Sequence, residues 1–269
     1  MFDTSKKLIL LTSLLLITTI SSSKKIVQIS IPKTGTHLLR KCICSLTNNP
    51  NVFTRIDNPP IGYYIVTPEY FHKLISQKRH WSNHLFYDQE FEPYLNSDEH
   101  AFFFIYRDPR DQIVSFAYYM TRSPDTQWKR AHTIPFDQIL MELINDSSRI
   151  YLPHQPSNDI LDFYQKYLPW LADERVCSIK FEDLVGPKGG GSLKGQYESI
   201  KRIAEHLNMH FTDKQIARKA SSLFGGTGTF RKGQIGSWKK NFKEEHKQAF
   251  KEIAGQLLID LGYEDSFDW

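Results

Sequence analysis

The run Ile26-Val27-Gln28-Ile29-Ser30-Ile31 alternates apolar β-branched residues with polar ones, and that two-residue period predicts a strand over 26–31. Ala101-Phe102-Phe103-Phe104-Ile105-Tyr106 is a second strand-like run, apolar almost throughout. Further strand-like runs lie near 61–66, around 80–85 and at 175–180. Between them the pattern predicts helices over 109–121, 136–145, 158–168 (opened by Pro156-Ser157), 196–207 and 212–223. A last helix covers Lys243 to Leu261 and is ended by Gly262. Strands alternating with helices predict a single α/β domain, with a central, mostly parallel sheet flanked by helices. Ligands of such sheets sit beyond the carboxyl ends of the strands.

Two glycine-rich stretches interrupt the pattern. Gly186-Pro187-Lys188-Gly189-Gly190-Gly191-Ser192 has the composition of a mobile surface loop, and Gly225-Gly226-Thr227-Gly228-Thr229 that of a hinge or a disordered link.

The candidate chemistry starts where the first strand ends. Pro32-Lys33-Thr34-Gly35-Thr36-His37 leads into an apolar helical stretch from Leu38. A strand, a turn with one glycine and a helix N-terminus together aim backbone N–H groups and the helix dipole at one spot, and Lys33 adds a full positive charge. The loop is P-loop-like without being the nucleotide-hydrolase motif, because Lys33 precedes the glycine and no earlier glycine opens the turn. An ordinary turn is the competing reading.

Two further segments carry anion-binding groups. Arg107-Asp108-Pro109-Arg110-Asp111 follows the strand at 101–106, with Pro109 suited to a helix start and Ser115 in the second turn. Arg107 and Ser115 can grip a phosphate, although Arg107 can instead pair with Asp111. Arg231-Lys232-Gly233 puts two basic side chains beside a glycine backbone that can approach an anion closely.

In this order the three segments resemble the sulfotransferase family that uses 3′-phosphoadenosine 5′-phosphosulfate (PAPS). Pro32 to Thr36 looks like its 5′-phosphosulfate loop, and Arg107 to Ser115 like its 3′-phosphate motif, with the same step of eight residues. Arg231-Lys232-Gly233 with Gly236 and Trp238-Lys239 looks like its last cofactor motif. The resemblance runs from about Ile26 to Trp269 and implies transfer of a sulfuryl group from PAPS to a hydroxyl acceptor, with an amine as second choice. By resemblance, Lys33 contacts the oxygen between phosphate and sulfuryl group, and Thr34, Gly35, Thr36 and His37 donate to the 5′-phosphosulfate. Arg107, Ser115, Arg231, Lys232 and Gly233 hold the 3′-phosphate. His84, 51 residues after Lys33 and 23 before Arg107, stands where the family has its base, and a histidine suits that role at neutral pH. Phe181 replaces the tyrosine of the family's Tyr-Glu-Asp and keeps only its ring for the adenine, while Leu38 stands where many members carry Trp.

The remaining features bound these expectations. A net charge of +4 among 34 Lys and Arg is too small and too scattered for a nucleic-acid module. The three cysteines have no zinc spacing, and no metal is expected. Lys6-Lys7 followed by an apolar stretch, Leu8 to Ile20, reads as a secretory signal or membrane anchor over 1–23, leaving 24–269 as the catalytic domain. The expected location is exported or membrane-associated, with the cytoplasm as alternative. Two other functions stay in view: a P-loop nucleotide kinase or phosphotransferase, and a non-catalytic PAPS-binding protein. The acceptor and the oligomeric state are left open.

Overall fold

The computed structural model describes residues 24–49, 65–77, 80–147, 159–226 and 230–269. In chain order these form β1 (Lys25–Ser30), α1 (Thr36–Thr47), α2 (Pro68–Gln77), β2 (His80–Asn83), β3 (His100–Tyr106), α3 (Pro109–Met120) and α4 (Phe136–Asn145). There follow α5 (Ile160–Gln165), α6 (Leu168–Ala172), β4 (Val176–Lys180), α7 (Phe181–Leu184), α8 (Leu193–His206), α9 (Asp213–Ser221), α10 (Trp238–Asn241) and α11 (Glu244–Asp260).

The four strands pair in the order β2-β1-β3-β4, every pair parallel. Parallel neighbours need crossover connections, and the intervening helices cover both faces of the sheet. The alternation of side chains divides the core accordingly. Val27, Ile29, Phe102 and Phe104 pack on one side with Ile113, Ile139 and Trp170. Ile26, Phe103, Ile105 and Ile179 pack on the other with Leu39, Ile43 and Ile203. Three consecutive buried phenylalanines in β3 therefore serve two cores at once. The polar positions of β1 also face α1: Gln28 Nε2 donates to the Thr36 carbonyl at 2.8 Å.

Several elements differ from the pattern-based expectation. The helix expected over 158–168 is two short ones, because Pro169 has no N–H for the carbonyl one turn back and restarts the helix near its own N-terminus. The helix expected at 196 begins at Leu193, where Ser192 caps it by accepting from Gly195 N at 2.8 Å. Helix α2, with Pro68 at its start, was not anticipated. The strand-like run near 61–66 falls mostly outside the described residues, and 65–67 are in no regular element. The apolar segment 1–23 lies outside them too; among the described residues no helix is long and apolar enough to cross a membrane.

The segment Gly186–Ser192 is not the mobile loop that its composition suggests. It forms a tight 3-10 turn at Pro187–Gly189, and Gly189 is buried. Its carbonyl accepts from Ile235 N at 2.9 Å, and the Lys188 carbonyl accepts from Gln234 Nε2 at 2.8 Å. A Cβ on Gly189 would lie 2.6 Å from the Gly233 carbonyl. Glycine is there so that two backbones can touch. Replacing Gly189 with Ala should loosen the 233–236 turn and lower the urea midpoint, with a stability loss on the order of 1–3 kcal/mol from overpacking. An unchanged midpoint would show that the contact is dispensable.

Candidate functional site

Because every strand runs the same way, their carboxyl ends lie along one edge, and the order of the sheet sets what stands beside what. His84 follows β2, the Pro32–His37 turn follows β1, Arg107 follows β3 and Phe181 follows β4.

The turn is built around two left-handed residues. Gly35 has φ 111°, and a Cβ there would meet Phe181 Cδ2 at 2.7 Å. Lys33 has φ 69°, a conformation that costs a non-glycine residue and is held here by its neighbours. Thr34 is fully buried, and its hydroxyl lies 2.6 Å from the Ile31 carbonyl and 2.9 Å from that of Ile105. That hydroxyl is committed to the scaffold. Gln112 Nε2 donates to the Pro32 carbonyl at 2.9 Å, fastening the turn to α3. Helix α1 starts at Thr36 with no side-chain cap and no acidic residue in its first turn. Its leading N–H groups and the positive end of its dipole face the turn.

Arg107 is buried and does pair with Asp111, at 3.2 Å; its Nη2 also donates to the Gln234 carbonyl at 2.7 Å. Its Nε is buried without a partner, a donor still to be satisfied. The guanidinium lies over the Phe181 ring at 4.3 Å, so Phe181 is wedged between Gly35 and Arg107. Asp111 does more than pair with Arg107. Its two oxygens accept from Gly236 N at 2.8 Å and Trp238 N at 2.9 Å, drawing the 231–238 segment onto α3.

One face of α3, buried at Asp111 and opening to solvent at Tyr119, completes the wall. Asp111, Ser115, Tyr118 and Tyr119 share one helical row by their spacing of three and four. Arg231 lies over the Tyr118 ring at 4.0 Å and Lys33 over the Tyr119 ring at 4.2 Å. Ser115, partly exposed, sits between these positions. Burial, then the charges of Arg107 and Arg231, lower the Lys33 ammonium to about 8, and Arg107 in turn contributes to lowering Arg231. Lys33, Arg107 and Arg231 thus lie in one another's field. Gly233 takes φ 60°, and Lys232 is exposed.

His84 is joined to the same turn. Its Nδ1 donates to the Ser30 carbonyl at 2.8 Å, which leaves Nε2 as the basic nitrogen. Ser30 Oγ lies 3.1 Å from that Nδ1 and 2.8 Å from Thr36 Oγ1. Burial lowers His84 to about 4; the bond to Ser30 opposes this, and the charges of Lys33 and His37 add to it. His37, at the start of α1, is itself lowered, first by partial desolvation among its neighbours and then by Arg40 and Lys33. At neutral pH the His84 imidazole is uncharged, as a base requires.

The Arg107–Asp111 pair is one of the two readings of its sequence, but single motifs did not disclose that Asp111 also takes the N–H groups of Gly236 and Trp238. They also passed over Phe230, 39% exposed, whose ring meets Phe224 edge-to-face at 5.2 Å immediately before Arg231. Among the described residues no group of His, Cys, Asp and Glu is arranged to hold a metal ion.

Two outcomes follow from this geometry. Thr34→Val keeps the volume and removes the donor, and should cost about 1–3 kcal/mol in urea unfolding; a smaller loss would mean that the hydroxyl does not hold the turn. For His84, the unfolded chain binds a proton below ~6.5 that the folded state refuses until about pH 4. Its contribution is therefore complete above that window and lost as the pH falls through it. The stability–pH curve of His84→Gln should be flatter between these limits, and an equally steep curve would contradict the buried neutral imidazole.

Against this geometry, comparisons with known proteins are informative. A model of the sulfotransferase domain matches residues 23–262. Mouse sulfotransferase 6B1 is 29% identical over 212 residues, which is 71% of this chain and 63% of that protein. Rat sulfotransferase 2A1 is 23% identical over 257 residues, 89% of this chain and 86% of that protein. The chain spans about half to two thirds of the length of the 6B1 relatives, 50% for the zebrafish protein. The crystal structure of mouse SULT7A1 complexed with PAP superposes with a TM-score of 0.59 at 19% identity, covering 89% of this chain and 87% of that one. That likeness is one of fold; the domain match, which takes in nearly the whole chain, decides the kinship, and this chain belongs to the sulfotransferase domain family.

Proposed function

We propose that this protein transfers a sulfuryl group from PAPS to a hydroxyl acceptor, an amine being the second choice. The observation that carries this reading is the convergence of Lys33, Arg107 and Arg231 beside an uncapped helix, with a neutral His84 tied to the same turn. Two separated anionic groups suit that distribution. The orphaned Arg107 Nε, Ser115, Arg231, Lys232 and the Gly233 backbone would hold the 3′-phosphate. Lys33 and the leading N–H groups of α1, at Thr36 and His37 beyond Gly35, would hold the 5′-phosphosulfate. The exposed Phe230 ring offers a face for the adenine beside Phe181, whose own ring is largely covered. The sulfotransferase structures of this fold include one complexed with PAP.

Bound there, PAPS supplies an activated sulfuryl group. The chain's own part is to place charges and move one proton. His84 Nε2 takes the proton of the acceptor hydroxyl as its oxygen bonds to sulfur. Lys33 offsets the charge that grows on the departing phosphate oxygen, an interaction stronger in the transition state than before it. Magnesium-dependent phosphoryl transfer fits less well, because the hydroxyl after the lysine, that of Thr34, is already committed to backbone carbonyls. We keep the exported or membrane-associated location as part of the proposal, resting on the apolar segment 1–23; recovery of a freely soluble protein with residues 1–23 intact would count against it.

Calorimetry with PAP and with Mg-ATP tests the donor site, and mass spectrometry of acceptor panels incubated with labelled PAPS tests the reaction. PAP should bind and ATP should not; tight Mg-ATP binding would favour a kinase, and PAP binding without turnover a binding protein. Lys33→Ala should slow transfer by about 10²–10³ and His84→Ala by about 10²–10⁴; full activity in either would remove the role assigned to it. PAP should also raise the NMR titration midpoint of His84, by cancelling the positive field around it.

A further inference from the structure

The matched sulfotransferase domain ends at residue 262, and the segment beyond it, Tyr263–Trp269, folds back onto the strand ends that carry the site. Arg110 is where it lands. This side chain is only 2% exposed, and its guanidinium is engaged on its edges and its faces. Nε and Nη2 fork onto Asp108 at 3.0 and 2.8 Å, and Nη1 meets Glu264 at 2.5 Å. The Trp238 ring lies 3.9 Å from the guanidinium carbon and the Trp269 ring 4.4 Å. The two indoles pack edge-to-face at 5.4 Å. A second tie runs through Tyr263, whose hydroxyl donates to Glu182 Oε2 at 3.1 Å, while Glu182 Oε1 accepts from Asp108 N at 3.1 Å. Lys180 closes over the Tyr263 ring at 3.8 Å.

Both ties end on Asp108, the residue next to Arg107. Trp238, the ring shared by Arg110 and Trp269, gives its backbone N–H to Asp111, which also pairs with Arg107. The 263–269 segment therefore braces Arg107 from behind and, through Trp238, the Arg231–Gly236 turn. We propose that Glu264 and Trp269, acting through Arg110, are positioning residues for the 3′-phosphate half of the donor site. Neither touches the donor. An arginine clamp acts through its placement, and a buried fork with stacked faces allows it little freedom.

This inference rests on the PAPS reading, and the test keeps the two apart by using two probes. PAP carries both phosphates; adenosine 5′-phosphate lacks the 3′ one. Calorimetry should show wild type binding PAP more tightly than adenosine 5′-phosphate. In Trp269→Ala and in the milder Glu264→Gln, PAP affinity should fall about tenfold and about threefold respectively. Adenosine 5′-phosphate should bind as before, and Trp269→Phe should recover most of the PAP affinity. A general loss of structure would weaken both probes together, and that result overturns the proposal. So does unchanged PAP affinity in both variants. Wild type that binds neither probe refutes the donor reading itself, and this inference with it.

Discussion

Three cations held in one another's field are an unstable arrangement unless something buried answers them, and Asp111 is the counter-charge for two of them, Arg107 and Arg231. It is completely buried, pairs with Arg107, and accepts the N–H groups of Gly236 and Trp238. Two segments far apart in sequence, one beyond β3 and one before α10, are thereby brought to a common carboxylate. Burial raises the Asp111 carboxyl, and the charge of Arg107 together with the two N–H bonds pulls it back. Removing one member of such a buried pair typically costs ~3–5 kcal/mol, because the other is left uncompensated. The cationic cluster is thus arranged around a buried negative charge already engaged by Arg107 and two backbone N–H groups.

The strands on which this depends were legible because their signal is local. The alternation in β1 and the apolar run of β3 each announce a strand, and Pro109 with Asp108 announces the start of α3. The three cationic segments were legible for a different reason: each follows directly on a strand or precedes a helix, so their chain order already implies one edge. What stayed hidden depends on contacts across the fold. Composition alone cannot separate a mobile glycine-rich loop from Gly186–Gly191, where a side chain on Gly189 would run into the Gly233 carbonyl and one on Gly191 into the Glu182 carbonyl. The break between α5 and α6 is a local signal, Pro169, that helical periodicity overrode.

The residues of the Pro32–His37 turn divide between scaffold and candidate site in a way that motif reading cannot resolve. Thr34 and Gly35 share the motif with Lys33, yet the structure uses the first as an internal tie and the second as space for the Phe181 ring. A tyrosine at 181 would have to place its hydroxyl beyond a ring already enclosed by the turn and by Arg107. The phenylalanine here belongs to that packing first, whereas Phe230, next to Arg231 in the chain, is the more exposed ring.

In the proposed reaction the same field would link donor binding to proton transfer. Without anions, burial and the charges of Lys33 and His37 hold His84 near 4, so it stays neutral but is a weak base. Lys33 is held low for a related reason, burial reinforced by two arginines. A polyanion in the cradle would cancel the repulsive part of both shifts, leaving burial and, for His84, the opposing bond to Ser30. Lys33 would then keep its proton more firmly where the proposed transfer develops negative charge, and His84 would gain basicity where it must take up a proton. On the proposed assignment the base would be strengthened when the donor is in place, through a change in the charge that both side chains feel.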